Sequence, residues 1–140
     1  MQQPDTAILI QFLNTLLEAE RAGAKAATLF HREYAGGPAE QLIEQVRKDE
    51  AWCCGMLSGW ISRLGGTPSE RTGDFLEKVM AKPGLEARLS FLNRGQGWVV
   101  DRLEEMVPRL DPGELREDLQ RMLDAHHHNI GATAAFLQTR

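Results

Sequence analysis

The sequence predicts an all-α protein, a four-helix bundle, and three observations carry that prediction. Apolar residues recur every three or four positions along four long stretches of the 140-residue chain. The alternation of apolar and polar residues that marks strands is missing, as are Asn-Gly hairpin turns. Two tight turns and one long middle connection join the four stretches, which describes two helical hairpins linked by a crossover.

Turn residues set the limits of the first helical hairpin. The first helix is expected to begin after Pro4 and to end near Tyr34, before Gly36-Gly37. Pro38 suits the first turn of the second helix, because proline has no N–H to lose there. Gly65-Gly66 then ends this helix.

The connection over residues 65–84 is too long for a simple turn. Asp74, with Glu77 three residues later, predicts a capping box that opens a short extra helix. The third long helix follows and is expected to loosen at Pro108. Asp111 and Pro112 predict the start of the fourth, as N-cap and first helical residue.

Composition and charge narrow the function classes. With 42% apolar and 26% charged residues, the chain reads as one globular domain over residues 1–140. The net charge of −4 argues against nucleic acid as a partner, because phosphate binding needs a basic face. No apolar run reaches the roughly 20 residues of a membrane span, and no signal peptide is visible, so we expect a cytoplasmic protein without a membrane partner.

The two cysteines, Cys53 and Cys54, are adjacent in the sequence. Neighbouring residues on a helix point about 100° apart, so a disulfide between them is not expected. The simpler interpretation is a pair of buried thiols in a reducing compartment.

Each apolar stripe has one polar interruption near its middle. The four residues are Glu20, Glu50, Gln96 and His126, and Asn129 lies one turn beyond the last. Glu20 and Glu50 lie at similar distances from the first turn, and Gln96 and His126 lie 15 residues on either side of Asp111. Residues equidistant from the turn of a helical hairpin meet, so we expect Glu20 to face Glu50 and Gln96 to face His126. If the hairpins pack together, all four side chains converge.

This pattern resembles the ferritin-like di-iron superfamily, in which two helices each give a Glu and two give Glu-x-x-His. The segments "LLEAERAG", "DEAWCC", "FLNRGQGW" and "AHHHNI" also resemble a bacterial branch of that superfamily with a degenerate di-iron motif. By position, Glu20 matches the first Glu, and Cys53 replaces the His that follows Glu50. Gln96 falls on the third-helix Glu, and the run His126–Asn129 falls on the last Glu-x-x-His.

The departures from the di-iron motif change what the resemblance implies. A di-iron centre uses four carboxylates and two histidines, which argues here against ferroxidase, peroxidase or oxygenase chemistry. Glu20, Glu50 and His126 remain, and two carboxylates with one imidazole suit a single Fe(II), Mn(II) or Zn(II) ion. Cys53 is a possible fourth ligand that would favour zinc, and Gln96 and Asn129 are possible site-lining residues.

Two further interpretations stay open. The buried polar residues form a metal-free hydrogen-bonded layer that fixes helix register, or they surround a buried small ligand. In the first case the protein would be a non-catalytic bundle that acts by self-association or partner binding, and whether it is an enzyme is open. Apolar residues outside the core stripes offer a possible homodimer face: Ile8, Ile10, Trp52 and Trp60.

Overall fold

The computed structural model describes residues 3–140, which form helices and turns with no strand among them. None of the helices in this range is long and apolar enough to cross a membrane. The all-α prediction is confirmed, together with the short extra helix in the long connection. The helices are α1 (Thr6–Glu33), α2 (Glu40–Arg63), α3 (Phe75–Met80), α4 (Gly84–Met106) and α5 (Glu114–Gln138), and a 3₁₀ turn (Val107–Arg109) follows α4.

The long helices form a ring in the order α1, α2, α5, α4. Helix α1 packs on α2 and α4, and α5 packs on α4 and α2. The connector between α2 and α4 runs along α1. The Asn14 side chain of α1 donates a hydrogen bond to the Thr67 carbonyl (3.1 Å) and accepts one from the Ser69 N–H (2.7 Å). At the opposite end, Arg88 at the start of α4 binds Glu33 at the end of α1. The connector therefore spans the bundle, and α4 runs parallel to α2, as in ferritin-like folds.

Two predicted caps differ in the structure. Asp74 does precede α3, but its side chain makes no capping hydrogen bond and instead pairs with Lys78 at 3.2 Å. Asp111 lies too early to cap α5, which begins at Glu114 after Gly113. Gly113 has a φ of +155°, so the chain makes one more turn after the proline before the helix starts.

A polar layer divides the apolar core into two clusters. One cluster surrounds the start of α1 and the end of α2, with Leu13 and Leu57 fully buried; the other surrounds Phe30 and Ile43 at the opposite end. The residues between the clusters are polar and at most 3% exposed, although water is the usual partner of such groups. They are Glu20, Glu50, Gln96, His126, Asn129 and Thr133.

Candidate metal centre

A contact between Glu20 and His126 lies at the centre of the polar layer. Nε2 of His126 is 2.7 Å from Oε1 of Glu20, and both side chains are 2% exposed. Glu20 belongs to α1 and His126 to α5, which occupy opposite corners of the helix ring. The contact therefore crosses the middle of the bundle and links the two hairpins.

The backbone of α5 fixes the orientation of the His126 ring. Nδ1 of His126 is 2.9 Å from the Met122 carbonyl oxygen, one turn earlier. A carbonyl oxygen only accepts, so Nδ1 carries a proton and Nε2 is the nitrogen presented to Glu20. Within residues 3–140, neither Nε2 nor Oε1 of Glu20 has an aligned hydrogen-bond partner. The 2.7 Å approach therefore brings the two side chains together as an ion pair when His126 is protonated.

Glu50 occupies space that a glycine leaves on α1. A Cβ atom built on Gly23 would lie 3.0 Å from the carboxyl carbon of Glu50 and 3.0 Å from its Oε2. Glycine in a helix interior costs about 1 kcal/mol relative to alanine. Gly23 therefore lowers the stability of α1 but leaves space for the Glu50 carboxyl group. The Glu50 carboxyl group lies flat against the α1 backbone and is 2% exposed.

Burial and mutual repulsion set different protonation states for the two carboxyl groups. Burial opposes ionisation of Glu20, but the charge of His126 and hydrogen bonds from its neighbours hold the Glu20 pKa below its ordinary value. Burial raises the pKa of Glu50 well above its ordinary value, and the adjacent Glu20 charge raises it further. Burial likewise opposes the imidazolium, but Glu20 raises the pKa of His126. The metal-free layer therefore holds one ion pair and one neutral carboxyl group.

Cys53 brings a third ligand atom to the Glu20–His126 contact. The ligand atoms of Glu20, Cys53 and His126 all lie within 4.8 Å of one another. Burial and the charges of the two glutamates raise the pKa of the Cys53 thiol, so it is protonated at neutral pH without a metal. Both cysteines are free, as expected, but Cys54 is half-buried rather than buried, and burial raises its pKa to about 11.

The other predicted site residues lie around this group of three. Glu50 adjoins Glu20 but lies outside the cluster in which all ligand atoms are mutually close. Asn129 is buried, and its Nδ2 donates to Asp49 Oδ2 at 2.8 Å, which ties α5 to α2. Gln96 shares a cavity with Glu20 and Glu50, while the His126 ring reaches Glu20 instead.

The cavity beside the carboxyl groups has a volume of about 140 Å³ and lies between α1, α4 and the connector. Glu20, Glu50 and Gln96 contribute its buried polar wall, Thr72 lines it from the connector, and most of the other lining residues are apolar. In the part of the chain that the structure describes, neither amide atom of Gln96 has a hydrogen-bond partner. The polar layer is thus open on one side to a small molecule.

Three features of the site were not predicted from the sequence. Gly23 was detectable, because an isolated glycine inside a helical pattern indicates close approach of another group. Asp49 gave no signal, since it lies one position off the apolar stripe of α2. The cavity depends on where the connector lies, and periodicity along a helix contains no information on that.

The remaining histidines lie away from the site, as expected. His127 and His128 are exposed on α5. His31 pairs with Glu44 through Nε2 and Oε2 at 2.7 Å, near the turn between α1 and α2. Only one imidazole is therefore available to the polar layer.

The side chains present do not fit a dinuclear iron centre but do fit a single ion. Two iron ions need carboxylates to bridge and charge-balance them, and the layer supplies only Glu20 and Glu50. The positions of the third carboxylate and of the second imidazole hold Gln96 and Asn129, whose amides are poor ligands for iron. One carboxylate, one thiol and one imidazole in mutual reach match the donor set of a mononuclear site.

Comparison with known proteins places the chain among ferritin-like folds. A family model described as a domain of unknown function (DUF6306) matches residues 7–135. No curated protein matches the chain. The fold is similar to a crystal structure of ferritin-like, diiron-carboxylate proteins from Bacillus anthracis str. Ames, with a TM-score of 0.65 and 17% sequence identity over 99% of this chain and 96% of that chain.

Proposed function

The chain belongs to the DUF6306 family, and we propose that it binds one divalent transition-metal ion in the middle of its bundle. The observation that carries the proposal is the mutual approach, within 4.8 Å, of ligand atoms from Glu20, Cys53 and His126. These residues come from three different helices, so the fold rather than one local motif assembles the group.

The charges of the layer favour a cation. Burial and the ionised Glu20 beside it raise the pKa of Glu50, which favours its protonated form without a metal. A divalent ion next to Glu20 would let the Glu50 carboxyl group ionise and join as a fourth ligand. Glu20, Glu50 and His126 then form the ligand set, and Cys53 completes it.

The thiol favours zinc over iron or manganese. Zinc accepts thiolate, imidazole and carboxylate together in tetrahedral sites, whereas manganese prefers oxygen ligands. A bound ion would act as a Lewis acid toward a polar group held in the adjacent cavity. The residues of this chain would orient such a molecule: Gln96 presents its amide, and the apolar walls contact its apolar part.

The protein of similar fold from Bacillus anthracis is described as a diiron-carboxylate protein, whereas the residues of this chain support one ion. Gln96 and Asn129 stand where carboxylate and imidazole would be needed, and Asn129 already binds Asp49. The proposal is therefore a mononuclear site on a ferritin-like bundle.

Metal content tests the proposal. Tag-free protein is dialysed against Zn(II), Fe(II) or Mn(II) and washed. Its metal content is then measured by elemental mass spectrometry. We expect about one equivalent of zinc in the native protein and at least a tenfold loss in His126→Ala. His128→Ala, an exposed histidine on the same helix, is the matched control and should keep its metal. Less than about a tenth of an equivalent in every preparation would overturn the proposal.

A second candidate function is a metal-free bundle that acts by self-association or partner binding. The 2.7 Å contact of Glu20 with His126 favours it, because an ion pair beside a neutral Glu50 is balanced in charge without any metal. Under this alternative, metal loading leaves the thermal unfolding midpoint unchanged. Under the first proposal, zinc raises that midpoint in proportion to the logarithm of its free concentration.

A further inference from the structure

The cavity next to the polar layer has the features of a ligand site that shares Glu50 with the proposed metal site but can be tested without metal. It lies between α1, α4 and the connector and has a volume of about 140 Å³. A cavity of about 150 Å³ is large enough for benzene in an engineered protein. A molecule with one small ring or a short branched chain therefore fits.

The polar wall of the cavity holds side-chain atoms that are buried and unpartnered. Gln96 is 3% exposed, and neither its Oε1 nor its Nε2 has a hydrogen-bond partner within residues 3–140. Oε2 of Glu50, on the same wall, has none in that range either. Buried polar groups cost free energy unless they are satisfied, so this wall calls for a polar group on the ligand.

The opposite walls are apolar, and the connector closes over them. Leu92, Trp98 and Val99 line the cavity from α4, and Phe75 lines it from α3. A Cβ atom on Gly95 would lie 2.8 Å from the Phe75 ring, so glycine at that position lets the ring settle on α4. A ligand therefore needs an apolar body behind its polar group.

We propose that this cavity binds a small primary amine as its ammonium ion, with the nitrogen between Glu50 and Gln96. The apolar body of the amine, no larger than one ring, lies against Phe75, Leu92 and Trp98. An ammonium group has three N–H donors, and the wall offers two unpartnered oxygens, Glu50 Oε2 and Gln96 Oε1.

Charge selects the amine over molecules of the same shape. An anion such as a carboxylate would enter beside the ionised carboxylate of Glu20 and would be repelled. A neutral alcohol has one donor for two oxygens. The three N–H donors of an ammonium group can instead reach both unpartnered oxygens of the wall, Glu50 Oε2 and Gln96 Oε1.

The test compares three molecules of one shape on chelator-treated, full-length protein. Benzylamine, benzyl alcohol and benzoate are titrated while backbone and side-chain amide NMR signals are followed. We expect benzylamine to shift the Gln96 side-chain amide and the Trp98 indole N–H, with a Kd at least about tenfold lower than for the other two. Equal or tighter binding of benzoate or benzyl alcohol, or no shift at these two groups, would overturn the inference.

Variants assign the binding to the polar wall. Glu50→Gln keeps the shape of the side chain and removes its charge, and Gln96→Leu removes the amide. Each is expected to raise the Kd of benzylamine by about tenfold or more, and an unchanged Kd in both contradicts the assignment. Glu104→Gln, on the exposed face of α4, is the matched control. If a variant does not fold, the three-ligand comparison on the native chain still decides.

The amine site and the metal site fail independently. Amine binding is measured without metal, and metal content is measured without amine. Zinc binding without amine binding would contradict only the amine site. Benzylamine binding without metal binding would contradict only the proposed metal site.

Discussion

Glu50 determines the charge state of the buried layer. It is held against Gly23 on one side and beside Glu20 on the other, and both burial and the Glu20 charge raise its pKa. Keeping Glu50 ionised in the metal-free protein therefore has an electrostatic cost. That cost has a measurable consequence for stability.

Glu50→Gln is expected to stabilise the metal-free protein at pH 7, because a carboxyl group whose pKa is raised by burial costs folding free energy wherever the unfolded chain has released its proton. The folded chain holds a proton on Glu50 that the unfolded chain has released, so stability falls as pH rises above the ordinary value of 4.5. The gain should shrink by more than half at about pH 5, where the unfolded chain also begins to bind that proton. Urea unfolding in the presence of a chelator measures the stability difference at both pH values. Glu104→Gln is the control. A variant less stable than the native chain at pH 7 contradicts the assignment.

Gly23 offers a second test, on geometry alone. Alanine is ordinarily the better helix former by about 1 kcal/mol, yet Gly23→Ala should destabilise by about that amount because its Cβ meets the Glu50 carboxyl group. Gly131→Ala is the matched control: this glycine lies in α5 with nothing within 4 Å of a built Cβ, and the substitution should stabilise. Chemical unfolding compares the two. Equal gains in both variants would mean that Glu50 does not occupy the space beside Gly23.

The cysteines provide a test by chemical reactivity. Burial raises the pKa of both thiols, that of Cys54 to about 11, so neither is a thiolate at neutral pH. A disulfide reagent at about pH 8 should leave the native protein nearly unmodified and should modify both thiols after unfolding in denaturant. Comparison of Cys53→Ser with Cys54→Ser should show that Cys54 reacts faster, because it is half-buried. Rapid reaction of Cys53 in the folded chain would contradict its place in the core.

At the level of residues, the sequence predicted the inward-facing polar set and the approach of Glu50 to Glu20, but not the contact of His126 with Glu20. Glu20, Glu50, Gln96 and His126 interrupt apolar stripes, and that pattern sufficed to place them in one buried layer. The contact of His126 with Glu20 crosses between hairpins, and its details depend on side-chain rotamers and on the Met122 carbonyl. Sequence spacing along one helix does not contain that information.

At the level of elements, the connector does two things. It carries the chain from one end of the bundle to the other, and through Phe75 it closes the cavity. The Phe75 ring stacks on Phe91 of α4 with centroids 5.2 Å apart, so α3 packs by aromatic contacts rather than by a cap. Because these aromatic contacts hold α3, the start of the helix does not depend on a capping hydrogen bond from Asp74. The Asp74 side chain pairs with Lys78 instead.

The packing of α3 gives a matched pair of glycine substitutions on α4. Gly95→Ala should displace the Phe75 ring, because the built Cβ lies 2.8 Å from it. We expect a loss of about 1–2 kcal/mol and faster hydrogen exchange in α3. Gly97→Ala meets nothing within 4 Å and should stabilise the protein. Hydrogen exchange that is unchanged in α3 of Gly95→Ala would show that the connector does not rest on Gly95.

The four long helices were predictable because their apolar residues keep the helical period over many turns. The residue at which each helix starts was harder to predict. Proline and aspartate before α5 indicated a helix start, but Gly113 adds one more turn of chain before Glu114. Cap residues indicate a boundary within a few positions, and backbone conformation decides which residue is used.

At the level of the whole molecule, ring order and crossover produce the site. All neighbouring helices run antiparallel, so the middles of α1, α2, α4 and α5 come to one level. This level separates the two apolar clusters and holds the buried polar residues. Equal spacing from the turns predicted the level correctly because helices of similar length, joined by short turns, have little freedom to slip.

The proposed homodimer face is a separate property of the molecular surface. Ile8 is 49% exposed, but Ile10, Trp52 and Trp60 are half-buried and pack against the core cluster. The Trp60 indole also donates to Asp118 at 2.8 Å, and Arg121 stacks on Trp52. These contacts occupy both tryptophans within the chain and agree with the alternative that these residues form the edge of a wide core stripe, while the homodimer face stays a prediction.

Native mass spectrometry of the full-length, tag-free chain after zinc loading tests the central claim most directly, because it counts ions per chain. We expect a species that carries one zinc ion in the native chain and in His128→Ala, and no such species in His126→Ala. A chain that carries no ion in every preparation, or two ions as a dinuclear centre would, contradicts the mononuclear site formed by Glu20, Glu50, Cys53 and His126.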